Sequence, residues 1–224
     1  MQKVLLIGER GGIGNAIKKQ LKSDYELFSY NSNHLNLDNK DSIENFIKNF
    51  KFNLNHIIFA AGINDLIQFE NISKENIYRV LNINIINFLI ILSSLIKGKL
   101  NKKNCSIIMI SSLYARFGRK HRMPYVLSKH AMDGACKTLA IELGKKGIRV
   151  NSISPGFIDT KLTRKNLSNK EIFKLTSNIP LGRMGNSKNI ADVVKFLISN
   201  QANYISGTDI VVDGGYSAGG FMGV

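Results

Sequence analysis

The short apolar run Lys3–Ile7 stops at Gly8-Glu9-Arg10-Gly11-Gly12-Ile13-Gly14, and helical spacing starts at once through Ile13, Ile17 and Leu21. A buried strand, a glycine-rich turn and a helix, in that order, admit few folds. Glycines let the backbone turn sharply and let a pyrophosphate approach the helix N-terminus, where free N–H groups and the helix dipole favour negative charge. Gly8, Arg10, Gly12, Ile13 and Gly14 are therefore candidate dinucleotide contacts. An ordinary tight turn is the plainer reading of a glycine cluster taken alone.

The rest of the chain repeats the alternation. Strand-like runs cover Glu26–Tyr30, His34–Leu37, His56–Ala60, Ser106–Ile110, Ile148–Ile153 and Thr208–Val212. Helical patterns cover Asp41–Phe50, Lys74–Lys97, Pro124–Lys145 and Asn189–Ile198. Such alternation predicts an α/β fold: a single doubly wound, Rossmann-type domain over 1–224, with about seven mostly parallel strands and helices on both faces. The polar segment 157–180 follows a strand end and is the candidate mobile lid.

The 224 residues suit one such domain, and 44% hydrophobic with 21% charged residues is ordinary globular composition. Lys and Arg outnumber Asp and Glu 31 to 16, a net charge of +15. That favours an anionic partner: a phosphate-bearing cofactor or substrate, an acidic protein, or nucleic acid. A solvated lysine-rich surface is the competing reading. Cys105 and Cys136 lack disulfide or zinc spacing, and the four histidines show no ligand pattern, so no metal is expected. The apolar part of MQKVLLIGER is too short for a signal peptide. Ile83–Ile96 is shorter than a bilayer needs and is interrupted by Asn84 and Asn87. A cytoplasmic protein with no membrane span is expected.

Tyr125-Val126-Leu127-Ser128-Lys129 lies early in the helix starting at Pro124. Residues four apart share a helix face, and an ammonium near a phenol favours phenolate, so Tyr125 becomes a candidate acid–base group. Ser112 ends the preceding strand, thirteen residues before Tyr125. Asn84 lies within an apolar helix and needs hydrogen-bond partners there. A strand-end serine, a surface Tyr–Lys pair and a structural amide are the plain alternatives.

With its G-x-x-x-G-x-G spacing and these later motifs in order, the chain resembles the short-chain dehydrogenase/reductase family over nearly its whole length. The resemblance implies an NAD(P)-dependent oxidoreductase moving a hydride between nicotinamide and a carbonyl or alcohol carbon. Ser112 would hold the carbonyl, Tyr125 pass the proton, Lys129 tune Tyr125 and bind the nicotinamide ribose, and Asn84 anchor a water linking Lys129 to solvent. Phe59-Ala60-Ala61-Gly62 resembles the family's Asn-Asn-Ala-Gly, lacking the asparagine, and its Ala60, Ala61 and Gly62 backbone would line the cofactor. Ser154-Pro155-Gly156-Phe157-Ile158-Asp159-Thr160 resembles the nicotinamide-binding turn, with Pro155, Gly156, Ile158 and Thr160 as contacts. Asn36 and Leu37 resemble the pair flanking the adenine.

The second strand ends Ser29-Tyr30-Asn31-Ser32 with no carboxylate, and Arg10 stands in the glycine loop. NADP(H) is therefore expected over NAD(H), with Asn31 at the ribose. Arg116, Arg119, Lys120, His121 and Arg122 lie between Ser112 and Tyr125 and suit an anionic substrate. The tail, with Ile179-Pro180-Leu181-Gly182-Arg183, resembles 3-oxoacyl-acyl-carrier-protein reductases. A nucleotide-linked or other phosphate-bearing sugar is the alternative substrate. Nucleic-acid binding on the same scaffold is the alternative of another class, without an RNA-recognition motif to support it. The apolar helices around 82–96 and 125–143 predict a homo-oligomer, tetramer or dimer.

Overall fold

The structure is a computed structural model that describes residues 1–101, 104–160, 163–164 and 168–220. Part of the candidate lid, at 161–162 and 165–167, lies outside them. Six strands form one parallel sheet: β1 (Lys3–Ile7), β2 (Glu26–Tyr30), β3 (His56–Phe59), β4 (Cys105–Ile110), β5 (Ile148–Pro155) and β8 (Asp209–Val212), in the order β2-β1-β3-β4-β5-β8. Two-residue strands β6 (Ile158–Asp159) and β7 (Gly185–Asn186) pair separately. The expected count of about seven is thus one too many for the main sheet. His34–Leu37 forms turns instead, because Leu35 and Leu37 drop into the core individually while Asn36 bonds locally.

Strand alternation decides which helix covers which face. Leu5 and Ile7 of β1 join one core cluster, with Ile57, Phe59, Ile107 and Met109. Over them pack α2 (Lys40–Asn49), α4 (Asn87–Ile96) and α5 (Met123–Gly144). Val4 and Leu6 point the other way, to α1 (Gly12–Leu21) and the helix Ser187–Ile198, here α7, through Ile17, Leu21, Ile190 and Val194. Both faces are covered, so β3 is buried throughout.

The run predicted as one helix over Lys74–Lys97 has three parts: α3 (Lys74–Leu81), a π-helical turn at Asn82–Ile86, and α4. By length and composition alone Lys74–Ile96 could cross a membrane. Here it lies on the sheet with Val80, Ile85, Phe88, Ile91 and Leu92 in the core. The helix α6 (Asn169–Thr176) lies within the candidate lid, between α5 and α7.

The chain leaves β1 outward to β2 and then returns past β1 to β3. This reversal leaves a crevice at the carboxyl ends of β1 and β3, where open α/β sheets bind ligands.

Candidate active site

Gly8 follows β1 at the reversal with φ +100°, and a Cβ there would lie 2.4 Å from the Ala61 backbone nitrogen. A Cβ on Gly14 would lie 2.0 Å from the Gly8 carbonyl oxygen. No side chain is tolerated at either position, so glycine loop, β3 end and α1 close into one cradle. The N-cap of α1 is Gly11, with no side-chain cap and no acid in the first turn, whereas Asn39 caps α2 and Ser73 caps α3. The first N–H groups of α1 are thus left for an anion. Gly12 faces the Thr160 side chain, 3.0 Å from where a Cβ would sit. The loop, the turn after β3 and the turn after β5 therefore meet, and a nicotinamide dinucleotide fits this cradle.

The remaining expected contacts are placed as follows. Ile13 packs on the α1 face of the core, and Arg10 is exposed. Asn36 accepts the Asp38 N–H at 2.9 Å, and the Leu37 carbonyl accepts from Asn87 Nδ2 at 2.8 Å. Pro155 closes the β5–β8 ladder, and the Gly156 N–H donates to Val212 O. Thr160 Oγ1 accepts the Thr163 N–H at 3.2 Å, and the Ile158 carbonyl accepts from Thr163 Oγ1 at 2.7 Å.

Around the carboxyl end of β4 the structure brings Ser112, Tyr125, Lys129 and Asn84 together. The Ser112 side chain lies near enough to the Tyr125 phenol to lower its pKa. Ser112 Oγ also accepts the Tyr114 N–H at 3.2 Å. Neighbouring Ser111 Oγ is buried with no hydrogen-bond partner among the described residues. Lys129 is buried, its Nζ donates to Ile110 O at 2.9 Å and lies 5.4 Å from the Tyr125 ring centroid. Asn84 Oδ1 and Lys129 Nζ flank Gly62, 3.4 and 3.9 Å from where its Cβ would be.

Asn84 spends its amide on protein: Oδ1 accepts the Ile63 N–H at 2.8 Å, and Nδ2 donates to Ile63 O and Ser128 Oγ, both at 3.0 Å. Burial of the phenol pushes the Tyr125 pKa up, partly offset by Ser112 and Arg122. Burial likewise pushes the Lys129 amine down to about 7.

The basic stretch splits. Arg119 and Lys120 are exposed, and Arg122 lies over the Tyr114 ring at 5.7 Å beside Tyr125. Arg116 turns away to Asp209, 3.0 Å, so it is not at the mouth. The acid missing from the carboxyl end of β2 is also supplied: Glu9, from the glycine loop, accepts from Ser29 Oγ at 2.6 Å and from Asn31 Nδ2 at 3.0 Å. The expected NADP(H) preference thereby loses one of its two supports. Nothing in the spacing of Glu9 says that its side chain folds back onto β2, so the sequence alone does not mark it as a site residue.

The fold and cradle define a dinucleotide-binding oxidoreductase, and comparison with known proteins gives the family. Residues 13–217 match the family model described as enoyl-(acyl carrier protein) reductase. The 3-oxoacyl-[acyl-carrier-protein] reductase of Buchnera aphidicola subsp. Acyrthosiphon pisum is 33% identical, over 96% of each chain. That of Rickettsia typhi is 32% identical, over 94% of this chain and 95% of the other. A solved structure of 4-hydroxyisoleucine dehydrogenase complexed with NADH superposes with a TM-score of 0.89, 30% identical, over 98% of this chain and 100% of that one. The chain belongs to the short-chain dehydrogenase/reductase family and is an NAD(P)-dependent oxidoreductase acting between a carbonyl and an alcohol.

Proposed function

We propose that this enzyme reduces a 3-oxoacyl thioester or a similar anionic, carrier-linked ketone, with Ser112, Tyr125 and Lys129 as its catalytic residues. The observation that carries this reading is the convergence of Ser112 and buried Lys129 on the Tyr125 side chain at the carboxyl end of β4. The Buchnera and Rickettsia relatives are named for 3-oxoacyl-carrier reduction, which supplies the substrate class.

Gly8, Gly12, Gly14, Ala60, Ala61, Gly62 and the Pro155–Thr160 turn would hold the dinucleotide, which when bound would supply the hydride. Ser112 holds the carbonyl oxygen near the Tyr125 hydroxyl. Burial keeps that phenol protonated at neutral pH, so Tyr125 is set as proton donor, the role reduction needs. Lys129 holds the ribose side of the site and replenishes the proton. Asn84 positions the 63–64 backbone and α5. Arg119, Lys120 and Arg122 supply positive charge for an anionic substrate.

The chain acts as one domain and works in the cytoplasm as a homo-oligomer. Exposed Ile90, Leu127 and Ile141, at 50, 44 and 81%, support the assembly. The test is NAD(P)H oxidation with an acetoacetyl thioester, compared with free ketones and ketose phosphates. Turnover of the thioester supports the reading. Turnover of sugar phosphates alone transfers the site to the sugar-dehydrogenase alternative.

A further inference from the structure

The Glu9 carboxylate, carried by the glycine loop, stands at the carboxyl end of β2. The strand's own register places it there: Ile7 pairs with Tyr30, and the Gly8 and Glu9 N–H groups both donate to the Tyr30 carbonyl, at 2.8 and 3.3 Å. From that anchored position the side chain reaches Ser29 Oγ, Asn31 Nδ2 and Lys18 Nζ. Its exposure falls to 11%. These three contacts hold the carboxylate in one place, and they also hold it ionised, since Lys18, Ser29 and Asn31 all lower its pKa.

In dinucleotide folds of this topology the adenosine ribose lies at the end of the second strand. A carboxylate there accepts from the 2′-hydroxyl and repels a 2′-phosphate. A carboxylate offers about four acceptor positions, and three donors leave about one for a ribose hydroxyl. Lys18 is already committed to Glu9, so it offers a 2′-phosphate little uncompensated positive charge. Arg10 is the loop's own basic residue and is exposed.

Resting on the proposed dinucleotide site, we infer that Glu9 is the residue that selects the cofactor, and that it selects NAD(H) over NADP(H) by accepting from the ribose 2′-hydroxyl. The carboxylate that usually comes from the strand comes here from the phosphate loop, with Asn31 acting as its holder.

The test is equilibrium titration of the full-length protein with NADH and with NADPH, read by nicotinamide fluorescence without substrate. Wild type is expected to bind NADH at least about ten-fold more tightly than NADPH. Glu9→Gln keeps the shape and most hydrogen bonds but removes the charge, and should narrow that ratio by about ten-fold, chiefly through tighter NADPH binding. Glu9→Ser, checked for fold by circular dichroism, should narrow it likewise. Equal or tighter NADPH binding by wild type overturns the inference and leaves the proposed reductase standing. A wild-type NADH preference unchanged in both variants overturns the role of Glu9. Binding of neither dinucleotide by wild type overturns both readings.

Discussion

Asn84 Nδ2 donates to Ser128 Oγ at 3.0 Å, across from the π-turn to α5, so the residue just before Lys129 is tied to the segment that follows β3. The same amide brackets the Ile63 backbone, and Ser128 Oγ donates in turn to Tyr125 O at 2.7 Å. A π-turn inserts one extra residue into a helix and commonly occurs at functional sites. Here Asn84 and Ile85 of the π-turn are both buried.

Asn84→Ala should therefore act on both stability and turnover. It leaves the Ile63 N–H and C=O without their side-chain partner, at a cost of about 3 kcal/mol. Urea denaturation should show the midpoint falling with unchanged slope. Turnover should fall more than dinucleotide affinity, because Lys129 loses its positioning and the glycine cradle does not. Unchanged stability would mean that water replaces the amide.

Tyr125→Phe removes only the phenolic oxygen. Turnover should drop by about 10²–10⁴-fold, the usual scale for loss of an acid–base group. Nicotinamide fluorescence titration should still show binding. Full activity in this variant would remove Tyr125 from the proton path.

Most of this arrangement was readable in the chain, and the exceptions share one physical cause. Strand and helix runs followed from periodicity, and the Gly8–Gly14 cradle from its context between strand and helix. Tyr125 and Lys129 followed from helical spacing, Ser112 from its strand-end place and the family resemblance, and the structure brings the three together. Long-range side-chain choices were not readable. Glu9 and Asn31 are 22 residues apart and meet only because β1 and β2 pair. Arg116 and Asp209, 93 apart, meet across β5, where Ser152 and Ser154 also donate to the carboxylate. The direction of the Tyr125 pKa depended on burial, which spacing alone does not reveal.

His56 opens β3 fully buried, its ring edge-on to Tyr25, with Nδ1 lacking a partner among the described residues. Burial and the Arg149 charge push its pKa down to about 4 from 6.5. The unfolded chain then binds more protons between those values, so stability is complete above pH 6.5 and is lost as pH falls toward 4. Thermal melts of wild type and His56→Gln should diverge over that window, by about 2 kcal/mol in favour of the variant at the acid end. Parallel curves would mean that the ring is hydrated.

Both cysteines are buried, and burial pushes their thiols up to about 12 for Cys105 and about 11 for Cys136. Thiolate is the reactive form, so native protein should resist alkylation at pH 8 and react only after unfolding. Mass spectrometry of iodoacetamide-treated protein, native and in urea, checks this. Rapid native labelling would mean that the core opens locally.

Lys129 sets function against stability. The residue is 3% exposed, and burial pushes its amine down to about 7 from 10.5. Between those values the native state binds fewer protons than the unfolded chain, so this residue makes stability rise with pH across the window. Below pH 7 the fold carries the full cost of burying the ammonium. Lys129→Met replaces it with an apolar chain of similar length, although the Ile110 carbonyl loses its donor. The variant should be inactive, yet more stable than wild type by about 2 kcal/mol at pH 6, with the gap closing toward pH 10. The slope decides the matter, because the lost Ile110 hydrogen bond shifts both ends of the comparison together. A gap independent of pH would show that Lys129 keeps its ordinary pKa in the fold. Its charge would then be fixed at neutral pH, and its part in replenishing the Tyr125 proton would fall away.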